Sequence, residues 1–412
     1  MKVCKRCLYT EKHALNIIFD EDGICSGCRI HEEKDSINWN VKAKELKELL
    51  ESYKNLSGNN YDCIIPVSGA RDSYFIVHTI KNVYGMNPLL VTYNKQYNTD
   101  VGVRNLANLR IKFNCDIITL TVNPEIVKKI TRASLRKMGS IYWHCIAGQT
   151  VFPVQIAVKF KIPLIIWGAH QGVDQVGMFS HEDKVEMTRK YRKEHDLMGY
   201  EAEDLIDEFD GVSQTDILQF KYPDDEEIEK VGVRGIYLNN YIRWDTLEQH
   251  NQMIRLYDYE TQNQNRTFDI FNDVDCYNYN DTHDYLKYIK YGYGKVVDQV
   301  CREIRLNRIT REQGLILINK YVSNKPKKIN LFLNWLGITE NSFYYIVDQH
   351  RNKCFWKRNE EWEWQYLGEF EFNNQDSNQF NSELKNLFDL PNVKRKISSD
   401  KKEEYILIGR GV

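Results

Sequence analysis

Tyr61–Ile80, YDCIIPVSGARDSYFIVHTI, is the stretch on which the fold turns. A run of apolar, β-favouring residues breaks at Ser68-Gly69-Ala70-Arg71-Asp72-Ser73, and an amphipathic stretch begins at Tyr74. Strand, tight loop and helix in that order bring backbone N–H groups and the positive end of a helix dipole to one point, which suits a phosphate. The Walker pattern Gly-x-x-x-x-Gly-Lys-Ser/Thr does not fit the loop, and no Gly-x-Gly-x-x-Gly lies near it.

Outward from this unit the alternation continues. Strand-like runs over 61–67, 88–94, 115–122 and 162–168 alternate with helical patterns over 73–85, 101–114, 124–138 and 148–161. That order predicts a parallel sheet flanked by helices, an α/β fold whose ligands bind beyond the carboxyl ends of the strands. After about Phe179 the pattern changes. Residues 183–209 are charged and helical, with no strand of comparable strength, and 282–321 read as two or more helices. Residues 342–372 alternate aromatic and polar side chains and suggest a small hairpin, and 373–383 read as loop.

Cysteine is unevenly spread. Of ten, four lie in the opening CKRCLYTEKHALNIIFDEDGICSGC as two Cys-x-x-Cys knuckles, Cys4/Cys7 and Cys25/Cys28, separated by residues 8–24. Two such knuckles can place four thiolates around Zn²⁺, and nothing leaves a coordination position open, so the metal is expected to be structural. Cys63 and Cys115 sit in apolar runs and read as core. Cys276 and His283 could form a second metal pair, but their spacing is ordinary and does not point to one. Residues 37–55 have helical periodicity and connect the zinc module to the α/β domain. The expected domains are 1–56, a zinc module with its connecting helix; 57–220, the α/β domain; 221–345, a helical region; and 346–412, a small C-terminal module.

The whole chain sets outer bounds. With 412 residues it can bury two or three cores, and 56 basic against 58 acidic side chains leave a net charge of −2. The global basic excess of a general nucleic-acid binder is absent. No apolar run of about 18 residues occurs, and the N-terminus lacks the pattern of a signal peptide. A cytoplasmic protein without membrane insertion is expected.

VSGARDS resembles the pyrophosphate loop, Ser-Gly-Gly-x-Asp-Ser, of the N-type ATP pyrophosphatases, with Ala70 in place of the second glycine. Together with the knuckles, the connecting helix, WHC at 143–145, IPLIIWG at 162–168 and residues 283–314, it resembles the N-acetyl sugar amidotransferase family over most of residues 1–345. The resemblance implies a PP-loop, adenine nucleotide alpha hydrolase-like fold with an N-terminal zinc knuckle and a helical C-terminal region. It implies an enzyme that uses ATP and Mg²⁺ to convert an N-acetyl group of a nucleotide-linked or nonulosonic bacterial surface sugar into an acetamidino group. Ammonia would come from a separate glutaminase, because the chain has neither a cysteine at position 2 nor a Gly-x-Cys-x-Gly elbow. The expected partner resembles the glutaminase of imidazole glycerol phosphate synthase, with or without its cyclase-like companion.

The resemblance also distributes roles. Ser68, Gly69, Ala70, Arg71, Asp72 and Ser73 would bind pyrophosphate, and the alternative for Asp72 and Ser73 is helix capping. Arg71 either neutralises phosphate or is solvated, and Asp72 either orients Mg²⁺ or fixes the loop. Thr92, Tyr93 and Asn94, ending the second strand, would border adenine, with Gly168 after the fourth. His144 or His170 would join Asp72 and Ser73 in catalysis by handling protons, the alternative being a buried aromatic cluster. Lys287, Lys290, Lys295, Arg302 and Arg305 form a basic region that would hold the sugar's acidic groups or simply be a solvated face. Two other readings stay open: a tRNA thiolation enzyme, which needs further cysteines at the site, and a non-catalytic binding subunit whose loop has decayed at Ala70.

Overall fold

The computed structural model describes residues 2–56, 58 and 60–368. After helices α1 (Ser26–Ser36) and α2 (Trp39–Tyr53), the chain runs β1 (Cys63–Pro66), α3 (Arg71–Val77), β2 (Pro88–Tyr93) and α4 (Asp100–Phe113). It continues through β3 (Ile117–Leu120), α5 (Pro124–Met138), α6 (Trp143–Phe160) and β4 (Leu164–Trp167). Short turns α7 (Gln171–Asp174) and α8 (Arg189–Tyr191) lead to α9 (Asp225–Val231), β5 (Arg234–Tyr237) and α10 (Thr246–Tyr257).

The strands form one parallel sheet in the order β3-β2-β1-β4-β5. Both faces are covered, which is why its strands read as near-continuous apolar runs. Cys63, Ile65, Leu90 and Ile166 turn to the core shared with α3, α4 and α10. Their alternating neighbours Ile64, Leu89, Val91 and Ile165 turn to α6. Ile65 is fully buried, and truncating it to alanine would cost about 2–5 kcal/mol.

Local signals set the helix ends. Asn123 caps α5 by accepting from the Glu125 N–H, Pro124 occupies the first helical position, and Gly139 closes it at φ +62°. Those bounds coincide with the reading of 124–138. α6 begins earlier than expected, so Trp143, His144 and Cys145 form its first turn.

Two expectations need correction. The α/β domain does not end at 220, because β5 completes the sheet from within the segment expected to be helical. Arg-Gly-Ile-Tyr is too short and too polar at its start to show a period; it gains its place by pairing with β4, and Met187 covers its other edge by bridging Gly235. The tail also differs. Residues expected in the hairpin from 342 onward begin as helix, and among the described residues the antiparallel pair spans 356–366; residues 369–372 of the expected hairpin lie outside the described residues.

The C-terminal region is otherwise helical as read: α11 (Asp284–Tyr291), α12 (Lys295–Arg305), α13 (Arg311–Tyr321), α14 (Ile329–Leu336) and α15 (Glu340–Gln349), then β6 (Trp356–Arg358) and β7 (Trp364–Tyr366). The loop expected at 373–383 lies outside the described residues. No described helix is long and apolar enough to cross a membrane.

Candidate active site and metal centre

Strand order reverses at β1: β2 and β3 lie on one side of it, β4 and β5 on the other. The crevice beyond the carboxyl ends of β1 and β4 is therefore the topological switch point, the usual ligand position in such sheets. Residues 68–73 follow β1 at this point, and Gly168 and His170 follow β4.

The loop holds its own shape. The Ser68 N–H donates to Ser73 Oγ at 2.8 Å, and the Ala70 N–H donates to Ser68 Oγ at 3.1 Å. Both hydroxyls act as acceptors in these bonds, so each keeps its proton to donate elsewhere. Gly69 is required by contact, because a β-carbon there would lie 2.1 Å from the Gly102 carbonyl oxygen. Gly102 is in turn pressed on Asp275, whose Cα would be 2.4 Å from an added β-carbon. Ala70 has φ −89° and ψ 162°. In that extended backbone a methyl group carries no strain, so the backbone conformation does not call for glycine here.

Arg71 neither faces solvent nor stands free over the crevice. It is buried, donating to Asn272 Oδ1 and to the Thr246 carbonyl at 3.3 Å. Asp72 Oδ1 lies 3.1 Å from the same guanidinium, on a side chain 42% exposed. The loop is thus anchored through Arg71, with Asp72 at its open side.

Thr92 and Tyr93 are buried at the end of β2. The Tyr93 hydroxyl lies 2.9 Å from His144 Nδ1, and His144 Nε2 lies 3.1 Å from the Tyr97 hydroxyl. Burial holds the His144 imidazole down to about 3. It is neutral, with one nitrogen able to donate and the other to accept. Asn94 binds Thr121, Asn98 and the Gln96 N–H.

His170 is on the opposite flank of β1. Its imidazole is 1% exposed and ringed by Phe179, Tyr191 and Tyr237 at 4.3–5.6 Å between centroids. Neither ring nitrogen has a hydrogen-bond partner among the described residues. Burial, with His195 nearby, holds it down to about 4. The two candidate histidines are therefore not one cluster: His144 is tied to β2, His170 to β4 and β5.

Sequence reasoning missed the segment 269–277, which closes the crevice from the C-terminal region. Thr99 N–H donates to the Asp275 carbonyl and Tyr277 N–H to the Tyr97 carbonyl. Lys95 Nζ and Asp275 Oδ2 form a buried ion pair at 2.6 Å. Burial alone would lower the Lys95 ammonium, yet Asp275 holds it above its ordinary value. No local spacing announces this pair; only the fold brings 95 and 275 together.

The basic region also reads differently in three dimensions. Lys287 pairs with Asp298, Lys290 donates to the Met138 carbonyl, and Lys295 to Gln264 and Asn280. Arg302 pairs with Glu303, and Arg305 donates to the Gln175 carbonyl. These cations are satisfied internally rather than gathered as one anion-holding surface. His283 stacks on Tyr279, and the Cys276/His283 pair does not appear as a metal group among the described residues.

At the N-terminus four buried sulfurs, Cys4, Cys7, Cys25 and Cys28, lie within 4.8 Å of one another. Cys4–Cys28 and Cys7–Cys25 are 3.9 and 3.6 Å apart. A tetrahedron with Zn–S of about 2.3 Å has edges of about 3.8 Å. The sulfurs fit a metal ion such as zinc. The Cys7 and Cys25 N–H groups donate to Cys4 Sγ at 3.4 and 3.3 Å, which favours a thiolate there.

The segment that closes the crevice carries a family signature. Residues 265–369 match the family described as LPS biosynthesis protein WbpG-like, C-terminal domain. The match fits a role in surface polysaccharide biosynthesis, and it places Asn272, Asp275 and α12 in the WbpG-like region. Over 117 residues the chain is also 28% identical to an uncharacterized protein of Methanocaldococcus jannaschii, covering 28% of this chain and 42% of that protein. The chain thus spans under half the length of that relative.

Proposed function

We propose that this chain is an ATP-dependent amidotransferase that converts an N-acetyl group of a nucleotide-activated or nonulosonic bacterial surface sugar into an acetamidino group. The observation that carries the proposal is the Ser68–Ser73 loop at the switch point of a parallel sheet, in a chain that closes that crevice with a WbpG-like domain.

An amide carbonyl is a poor electrophile with a poor leaving group. In the proposed reaction its oxygen attacks the α-phosphorus of ATP, the bond to the β-phosphate breaks, and pyrophosphate leaves. Ammonia then adds to the activated carbon, loses protons to a base, and AMP departs with the former amide oxygen. Ser68 and Ser73 direct their hydroxyl protons, and Gly69 its N–H, at the charge growing on pyrophosphate. Asp72 is the carboxylate that would meet Mg²⁺, which supplies further charge neutralisation when bound. His170, neutral and with unengaged ring nitrogens, suits the proton transfers better than His144, whose nitrogens both meet tyrosine hydroxyls. A separate glutaminase of the kind found in imidazole glycerol phosphate synthase, alone or with a cyclase-like companion, would deliver the ammonia.

A tRNA thiolation reading requires an accessible thiolate. Cys145 and Cys276 are fully buried, and burial raises both thiols, which opposes that chemistry. The decayed-loop reading rested on Ala70, and the extended backbone there speaks against it, since a methyl group at that φ carries no backbone strain. AMP release should be measured with ammonium and ATP plus nucleotide-linked diacetamido uronic acid or a nonulosonic acid, plus tRNA, or plus neither. AMP formed only with sugar is expected; AMP formed only with tRNA sinks the proposal, and none with either points to a binding subunit. Use of glutamine by the purified chain would overturn the partner assignment.

A further inference from the structure

Four thiolates around one divalent ion carry a net charge of −2, and here they are buried in an apolar cluster with Val296, Val297, Val300 and Ile304 of α12. Such a charge needs a partner. Arg305, at the end of α12, sends its buried guanidinium into the knuckle, with Nη2 3.9 Å from Cys7 Sγ and 3.8 Å from Cys25 Sγ. Its other terminal nitrogen donates to the Gln175 carbonyl at 2.5 Å.

The knuckle is shaped for this contact. A β-carbon on Gly27 would lie 2.5 Å from Arg305 Nη2 and 2.7 Å from the Gln175 oxygen, so glycine in Cys-Ser-Gly-Cys opens the space. Gly177, at φ +68°, would place a β-carbon 2.4 Å from the Ser26 carbonyl, and Ser26 Oγ donates to the Val176 carbonyl at 2.9 Å. Gln175 donates to the Tyr9 hydroxyl and to the Asp298 carbonyl. Residues 175–177 are therefore wedged between the knuckle and α12, a few positions beyond His170.

We infer that Arg305 is the charge partner of the metal–thiolate centre, so that the bound metal holds the WbpG-like domain against the loop following β4. Without the ion the thiolates take up protons and the guanidinium loses its compensating charge, and with Arg305 neutralised the centre loses its cation. Occupancy at the knuckle and order at the crevice's edge are thereby coupled.

The test uses the full chain and Zn²⁺. Competition against a chromophoric chelator should show Arg305→Gln binding Zn²⁺ about 10–100-fold more weakly than the parent, with Arg305→Lys between them. In the parent chain, removal of Zn²⁺ should raise amide hydrogen exchange in α12 and residues 171–178 as well as in the knuckle. Unchanged affinity in Arg305→Gln overturns the assignment. If that variant does not fold, exchange in the parent decides: a rise confined to residues 2–28 on metal removal overturns it equally.

Discussion

The knuckle and the Ser68–Ser73 loop are both tight turns built around glycine, yet they end in opposite chemical states. At the knuckle all four sulfurs converge on one point and are sealed from water. At the loop the internal bonds use hydroxyl oxygens as acceptors, leaving the hydroxyl protons and the half-exposed Asp72 for something outside the fold. A closed donor set stabilises structure, whereas donors left over at a switch point are what an incoming anion needs. In the proposed reading the closed region is scaffold and the open one is site.

The largest effect should come from the closed region. Cys25→Ser removes one ligand and leaves buried thiolates without their ion, and because metal-binding free energy is folding free energy, the knuckle should unfold. Loss of the one-per-chain zinc and a lower Tm would be the expected readout. A variant retaining both would show that the four sulfurs are core rather than a metal centre. Next comes Gly69→Ala, which forces a methyl onto the Gly102 carbonyl. Overpacking of this kind costs about 1–3 kcal/mol, and AMP formation should fall by more than that loss explains, since the loop itself must shift. Equal activity per folded molecule would place the phosphate elsewhere.

Much of this was legible in the sequence, for reasons that differ by element. β1 to β4 announced themselves because a sheet covered on both faces gives near-continuous apolar runs, and α5 because Asn123, Pro124 and Gly139 mark its ends. The four cysteines placed to hold a metal were legible because knuckle spacing is local. β5 was not, since four residues at a sheet edge carry no period. Nor were the Lys95–Asp275 pair and the contact of Arg305 with Cys7, as partners 180 and 298 positions apart leave no pattern along the chain. The five C-terminal cations were visible, but their separate internal partners were not, so a charge run resembled a binding surface.

A smaller effect tests where the two regions meet. The His170 imidazole is neutral when folded, held down to about 4, against about 6.5 when unfolded. Between those values the unfolded chain binds a proton that the folded chain does not. This contribution to stability is complete above pH 6.5 and is lost as pH falls toward 4. His170→Leu, close in volume, should flatten that part of the acid limb in Tm measured against pH and leave Tm at pH 8 within a few degrees. AMP formation should nonetheless collapse if the ring moves protons. A variant with full activity and a flattened limb would make His170 a packing residue.

The smallest effect is expected at Ala70. Its φ of −89° is open to any residue, so glycine would relieve no strain in the folded loop. It would enlarge the unfolded ensemble, lowering stability by about 0.4–1 kcal/mol. Ala70→Gly should therefore melt slightly earlier and keep the ATP dependence of AMP release unchanged. A lower ATP requirement would mean that the loop turns to a left-handed backbone when phosphate arrives, a conformation alanine resists at about 1–2 kcal/mol. The open region would then be one that reshapes on binding, and its contrast with the metal-locked knuckle would extend from chemistry to motion.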